Sequence, residues 1–298
     1  MQYDLQAAGE MERHPGTRLR HPPLRQQLLK WVGNKQRFAH EIADFFPAGF
    51  GTYFEPFLGS GAVLGTAMPD RALGSDCFAP LVDIWQTLKR DPDLLIAWYG
   101  ERVQMHQQLG KQRAYAAILA SYNAQPNAGD FVFLSRACYG GVVRFRKDGY
   151  MSTPCGIHEP IRPEAFAERV RTWHRRVQGA QFEHLDYREA MSRAVAGDLV
   201  YCDPPYSHSQ AILYGAQSFS LAELLAAIGD CRDRGVNVIL SIDGSKKSGA
   251  VLCDTPIPAG LFNREVAVNV GRSMLRRFQR EGDTLEDEVV HDRLLMTF

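Results

Sequence analysis

The chain has 298 residues, 45% of them hydrophobic, and its 34 basic and 34 acidic side chains cancel to a formal net charge of zero. That length suits one large domain, or one domain with a substantial insertion. No apolar run is long enough to span a bilayer, and residues 1–25 are too polar for a secretory signal.

Residues 1–26 carry His-Pro-Gly and His-Pro-Pro breaks and read as an irregular basic arm. After the apolar run Leu28 to Val32, the spacing of Phe38, Ala39, Ile42, Phe45 and Phe46 predicts a helix over 35–46, stopped by Pro47. Thr52 to Phe57 reads as a buried strand, Ala62 to Met68 as a helix, and Ala72 to Ser75 as a second strand closed by Asp76. From Pro92 to Arg176 the pattern changes to longer helices around a Gly-rich basic loop, which looks like an insertion. Strands return at 182–185, 198–202 and 236–242, with a helix over 221–231, and the tail supplies strands over 264–270 and 291–298 around an Arg-rich turn. Strands alternating with helices predict an α/β fold: a mostly parallel, Rossmann-like sheet of about seven strands, covered on both faces.

Charge is distributed unevenly along this order. From Arg13 to Arg37 there are seven Lys or Arg and no acid. Arg136, Arg144, Arg146 and Lys147 form a second basic cluster. Arg169, Arg171, Arg175 and Arg176 form a third, and Arg272, Arg276, Arg277 and Arg280 a fourth. Four clusters on a neutral chain imply one positive face. Cys77, Cys138, Cys155, Cys202, Cys231 and Cys253 include no CxxC pair, so neither a disulfide framework nor a metal site is expected, and reduced cytoplasmic thiols are the simple reading.

Phe54-Glu55-Pro56-Phe57-Leu58-Gly59-Ser60-Gly61 lies where a strand turns into a helix, and its glycines let backbone approach a ligand at the sheet's carboxyl edge. An acid at that strand end would repel a pyrophosphate. It suits S-adenosylmethionine, which carries a sulfonium and an ammonium. A tight turn with no ligand is the alternative. Asp76, about twenty residues on, is placed to accept hydrogen bonds from ribose hydroxyls, or to cap the helix after it.

The strand 198–202 delivers Asp203-Pro204-Pro205-Tyr206 to the same edge. An aromatic amine is a poor nucleophile because its lone pair is delocalised into the ring. A carboxylate and the backbone carbonyl after it can each accept one amine hydrogen. Consecutive prolines present carbonyls rather than amides, and Tyr206 offers a flat face for stacking on a base. A base within a duplex would have to be flipped out. Asp at the first position points towards adenine.

In this order the motifs resemble those of the Dam-type DNA adenine methyltransferases. Leu29-Lys30-Trp31-Val32-Gly33-Asn34-Lys35 looks like that family's N-terminal cofactor motif, and the match runs from about Gln27 to Phe298. The resemblance implies that Trp31, Lys35, Asp76 and Asp203 contact S-adenosylmethionine, with Asp186-Tyr187 at its adenine edge and Phe54, Glu55, Pro56, Gly59 and Gly61 around it. Residues 131–156 resemble the family's DNA-facing segment, with Arg136, Tyr139, Gly141, Arg144, Gly149, Pro154 and Gly156 on its pattern. Where the family often carries Asn, this chain has Gly140. Arg146, Lys147, Arg272, Arg276 and Arg277 join Arg136, Tyr139 and Arg144 as expected DNA contacts.

The resemblance divides the chain into the arm (1–26), a cofactor-binding part of the catalytic domain (27–91), an inserted target-recognition domain (92–176) and the part carrying the DPPY loop (177–298). It implies double-stranded DNA as substrate and a bacterial or phage cytoplasm as setting. Such enzymes can be accompanied by a cognate restriction endonuclease. Competing readings are an RNA or protein-glutamine amine methyltransferase, and an inactive nucleic-acid-binding module. Pro154-Cys155 could suggest a cytosine-carbon methyltransferase, but such an enzyme has no use for DPPY.

Overall fold

The computed structural model describes residue 22 and residues 24–205, 219–246, 251–252, 256–272 and 289–298; for 243–246, 251–252, 269–272 and 289–291 it describes the backbone alone. Tyr206, Arg276, Arg277 and most of the basic arm lie outside the described residues.

Among the described residues the first element is a short helix α1 (Ala39–Ala43), followed by β1 (Tyr53–Glu55), α2 (Ala62–Ala67), β2 (Ala72–Asp76) and α3 (Ala79–Arg90). Four helices follow: α4 (Pro92–Leu109), α5 (Lys111–Ala124), α6 (Ala128–Ala137) and α7 (Pro163–Arg176). The remainder is β3 (Ala180–His184), α8 (Tyr187–Ser192), β4 (Leu199–Cys202), α9 (Leu221–Asp233), β5 (Asn237–Lys246), β6 (Val251–Leu252), β7 (Arg264–Arg272) and β8 (Val289–Met296).

The sheet runs β3-β2-β1-β4-β5-β8-β7, a seven-strand path to which the two-residue β6 adds on β5. Neighbours from β3 to β5 are parallel, and β8 is antiparallel to both β5 and β7. Side chains alternate between faces with period two. Tyr53, Tyr201 and Ile239 face a core formed with α1 to α7. Phe54, Val200, Cys202 and Leu240 face a second core closed by α8 and α9. Cover on both faces explains why Leu199 to Cys202 is apolar throughout rather than alternating.

The first helix is shorter than its apolar pattern predicts. Beyond Ala43 the amides of Phe45 and Phe46 bond three residues back, to Ile42 and Ala43, so the chain tightens and leaves the α-helical path. Helix α3 is the helix expected after Asp76, and its second residue is Pro80. It stands in the first turn, where no N–H is needed.

Helices α6 and α7 grip the segment leading into the Trp31 motif. Trp173 Nε1 donates to the carbonyl of Gln26 (2.9 Å), Arg169 to Gln27 (2.9 Å), Arg136 to Leu28 (2.7 Å) and Arg176 to Pro22 (2.6 Å). These carbonyls belong to no helix or strand, and the clamp gives each a partner, most importantly the buried Leu28.

Candidate active site

In the order 3-2-1-4-5 the direction of winding reverses between β1 and β4, and such switch points open a crevice at the strands' carboxyl ends. The cleft found there encloses about 1130 Å³ of empty space, including its mouth. It is lined from β1 by Glu55 to Ser60, from β2 by Asp76 to Phe78, and from β4 by Asp203 to Pro205, with Trp31, Gly33, Lys35, Asp186, Tyr187 and Phe219 around them.

The turn after β1 depends on glycine. Gly59 has φ +45°, and a Cβ there would lie 2.9 Å from the Trp31 indole nitrogen. From the other side, Trp85 Nε1 donates to the Gly59 carbonyl (3.1 Å). The turn is therefore held between two indoles, and Trp85 is a support that no motif signalled. Gly61, φ +58°, starts α2 beneath the Trp85 ring. Phe54 points away, into the core under α8 and α9. Neither Phe54 nor Gly61 is among the residues lining the cleft: strand parity turns the Phe54 side chain to the far face, and Gly61 caps α2.

Glu55 is buried, and its Oε2 accepts hydrogen bonds from the Tyr53 hydroxyl (2.7 Å) and the Leu64 amide (2.9 Å). It thus ties the β1 end to the first turn of α2. Burial pushes its carboxyl up to about 8, against the opposing pull of those two bonds. Asp76 accepts from the amides of Gly59 (3.0 Å) and Phe78 (3.1 Å), and burial lifts it to about 6 despite them. Between the ordinary carboxyl value of 4.5 and about 8, an unfolded chain would ionise Glu55 while the folded chain keeps its proton. Folding stability therefore falls as pH rises through that window. We expect Glu55→Gln to flatten this fall when melting temperatures are compared from pH 5 to 8. Parallel curves for the variant and the wild type would show that Glu55 ionises normally.

Lys35 joins three elements at the floor of the cleft. Its Nζ lies 2.9 Å from Asp203 Oδ1 and 3.4 Å from Asp292 Oδ2 on β8, with side-chain exposures of 7, 18 and 8% in that order. Burial alone would lower the lysine's pKa, but the two carboxylates outweigh it and hold Lys35 above its ordinary value. Asp292 appears in no sequence motif, because its partner lies at the far end of the chain.

Asp186 caps α8, accepting from the Arg188 amide (2.9 Å), and also pairs with the Arg188 guanidinium. Tyr187 stacks on Phe57, with ring centroids 5.1 Å apart. Phe219 meets both of these rings edge-on, and with them forms an aromatic wall on that side of the cleft.

The basic loop is a hairpin. Cys138 and Cys155 face each other at its base, Phe145 and Met151 pair further out, and Gly149 turns its tip with φ +82°. Arg144, Arg146, Lys147 and Tyr150 are exposed, as is Tyr139 at the base, and Arg146 stacks over the Tyr150 ring (4.7 Å). Phe145 packs on Phe78 (5.4 Å), which ties the hairpin to the cleft wall. Arg136 does not belong to this exposed set. It is 6% exposed, donates to the Leu28 carbonyl, and burial lowers its pKa to about 10. Arg169 and Arg176 likewise serve the clamp. Arg272 ends β7, and its side chain is outside the described residues.

The profile of the D12 class N6 adenine-specific DNA methyltransferases matches residues 31–259. The chain belongs to that family. The DNA adenine methylase of Serratia marcescens is 30% identical to this methyltransferase over 209 residues, covering 66% of this chain and 74% of its own length. The DNA adenine methylase of Vibrio cholerae (strain O395) is 26% identical over 228 residues, or 72% of this chain and 80% of the relative. The DNA N-6-adenine-methyltransferase of Escherichia phage P1 is 26% identical over 232 residues, 74% of this chain but 30% of the phage protein. The methyltransferase has no helix, among the described residues, long and apolar enough to cross a membrane. Its departure at Gly140 is conservative for the backbone: φ 64° and ψ 1° lie in the left-handed region that Asn and Gly both reach. The side-chain amide that Asn would have contributed is absent.

Proposed function

We propose that this adenine DNA methyltransferase takes its methyl group from S-adenosylmethionine and delivers it to N6 of an adenine flipped out of double-stranded DNA. One observation carries the reading. Asp203 and the two prolines after it stand across the switch-point cleft from the Gly59 turn, so an amine acceptor and a donor-binding loop share one space.

The cleft suits that donor. It offers acids rather than bare amides, a turn where a Cβ would strike Trp31, and an aromatic wall for an adenine ring. Glu55 and Asp203 would face the cationic methionine portion, with Trp31, Lys35 and Pro56 beside it. Asp76 would receive the ribose hydroxyls, and Asp186 and Tyr187 the adenine edge. The bound donor supplies an electrophilic methyl on a sulfonium. Asp203 would accept a hydrogen bond from one N–H of the target amine and the Pro204 carbonyl from the other, which frees the nitrogen lone pair from the ring. As the N–CH3 bond forms and the S–CH3 bond breaks, S-adenosylhomocysteine would leave and the proton shed by the amine would pass by way of Asp203 to solvent. Lys35 fixes the Asp203 carboxylate, and the Tyr206 ring is assigned to stacking on the flipped base.

Binding a cation beside Glu55 favours its ionised form, so donor binding should release a proton near pH 7. The reading is tested by incubating duplex DNA with the enzyme and labelled S-adenosylmethionine, then mapping the modified base. Label on adenine N6 is expected; label on RNA or protein alone would overturn it.

We assign the DNA face to the exposed hairpin within the 92–176 target-recognition unit, with Arg144, Arg146, Lys147 and Tyr139 reaching the duplex. Arg144→Ala should leave the melting temperature unchanged and reduce the slope of log affinity against log salt by roughly one unit for each phosphate left unneutralised. An unchanged slope would move the DNA face elsewhere.

A further inference from the structure

We propose that Asp292 is a positioning residue for methyl transfer: it holds Lys35 from the β8 side, and through Lys35 it orients the Asp203 carboxylate. This rests on the function proposed above and extends it to a residue beyond the stretch that the family profile matches.

Strand parity makes an acid unexpected here. Asp292 shares its face of β8 with Leu294 and Met296, both in the core beneath α1 to α7, and it is 6% exposed. A carboxylate at such a place is costly unless it is paired. The Lys35 ammonium lies 3.4 Å from it and also 2.9 Å from Asp203. Among the described side chains, the Lys35 ammonium is shared by these two carboxylates. If Lys35 had Asp203 as its sole carboxylate partner, the pair would be neutral, and the lysine would draw electron density from the oxygens needed to accept amine hydrogens. Asp292 takes part of that demand and pins the ammonium from behind. It also adds attraction for a cationic donor. Among the described residues, the other titratable groups of the cluster are Glu55 on β1 and Cys202 on β4, which feel Asp203, and Tyr201 on β4, which feels Lys35.

The test compares the wild type with Asp292→Asn, which keeps shape and loses charge, and Asp292→Glu, which keeps charge. In single-turnover methylation of duplex DNA, Asp292→Asn should lower the rate roughly 10- to 100-fold, the scale for outer partners that orient a reacting group. DNA affinity should stay the same. The acid limb of the rate–pH profile should move to lower pH, because Asp203 loses a neighbouring negative charge. Asp292→Glu should recover most of the rate. A purely structural role would lower the melting temperature but move neither the pH profile nor the Glu rescue. An Asn variant with the wild-type rate and profile, or one that does not hold its fold at the assay temperature, overturns the proposal. If Asp203→Ala is inactive while Asp292→Asn is normal, only the positioning role falls. If the wild type labels no adenine, the function proposed above falls, and this role with it.

Discussion

Asp203→Ala should abolish adenine methylation while leaving the enzyme folded. Removing one well-placed polar partner of a reacting group costs roughly 10²–10³ in rate, and Asp203 also faces the proposed donor. The fold should survive because Lys35 retains Asp292 as a counterion at 3.4 Å, so no buried cation is stranded. Asp203→Asn sharpens the test. It keeps an acceptor oxygen but loses the charge, and should fall between the wild type and the Ala variant. Labelled-methyl transfer to duplex DNA, measured beside a thermal melt, checks both. An Ala variant within tenfold of the wild-type rate would remove Asp203 from the chemistry.

Arg136→Ala should have the opposite signature. Although the residue falls on a DNA-facing sequence pattern, its guanidinium is buried, lies over the Phe166 ring (6.0 Å), and donates to the Leu28 carbonyl (2.7 Å). Truncation leaves a cavity and an unsatisfied carbonyl, at a cost of roughly 2–4 kcal/mol. It also loosens the chain just ahead of Trp31 and Lys35, so the apparent affinity for the donor should weaken as well. The salt slope of DNA binding should not change. Differential scanning calorimetry with a salt titration separates the two roles. A normal melting temperature with a reduced salt slope would return Arg136 to the DNA face.

The contrast between Arg136 and Arg144 shows where reading a sequence stops. Both are arginines on one motif, eight positions apart, and no local pattern distinguishes them. What separates them is that α6 is buried along its whole length while the hairpin beyond it projects. The strands and the DPP loop were legible because each rests on local chemistry: an apolar run, a Gly turn, proline carbonyls. The helix after Asp76 was open to expectation from that cap, and Pro80 does not interrupt it because a first turn needs no N–H. Asp292 and Trp85 act through partners distant in sequence, so a linear reading gives neither of them a signal. The resemblance sets Phe54 near the cofactor, while strand alternation turns its side chain to the other core.

The clamp on residues 22–28 bears on how new target specificities could arise. Four side chains of α6 and α7 complete the backbone of the segment that carries Trp31 and Lys35, so residues 92–176 are not a detachable cassette. Exchanging them whole between relatives would strip carbonyl partners from the catalytic half. The hairpin beyond the backbone pairing of Cys138 with Cys155 supplies none of those partners, so, if it is the DNA face proposed above, a graft of foreign specificity has its natural cut sites there.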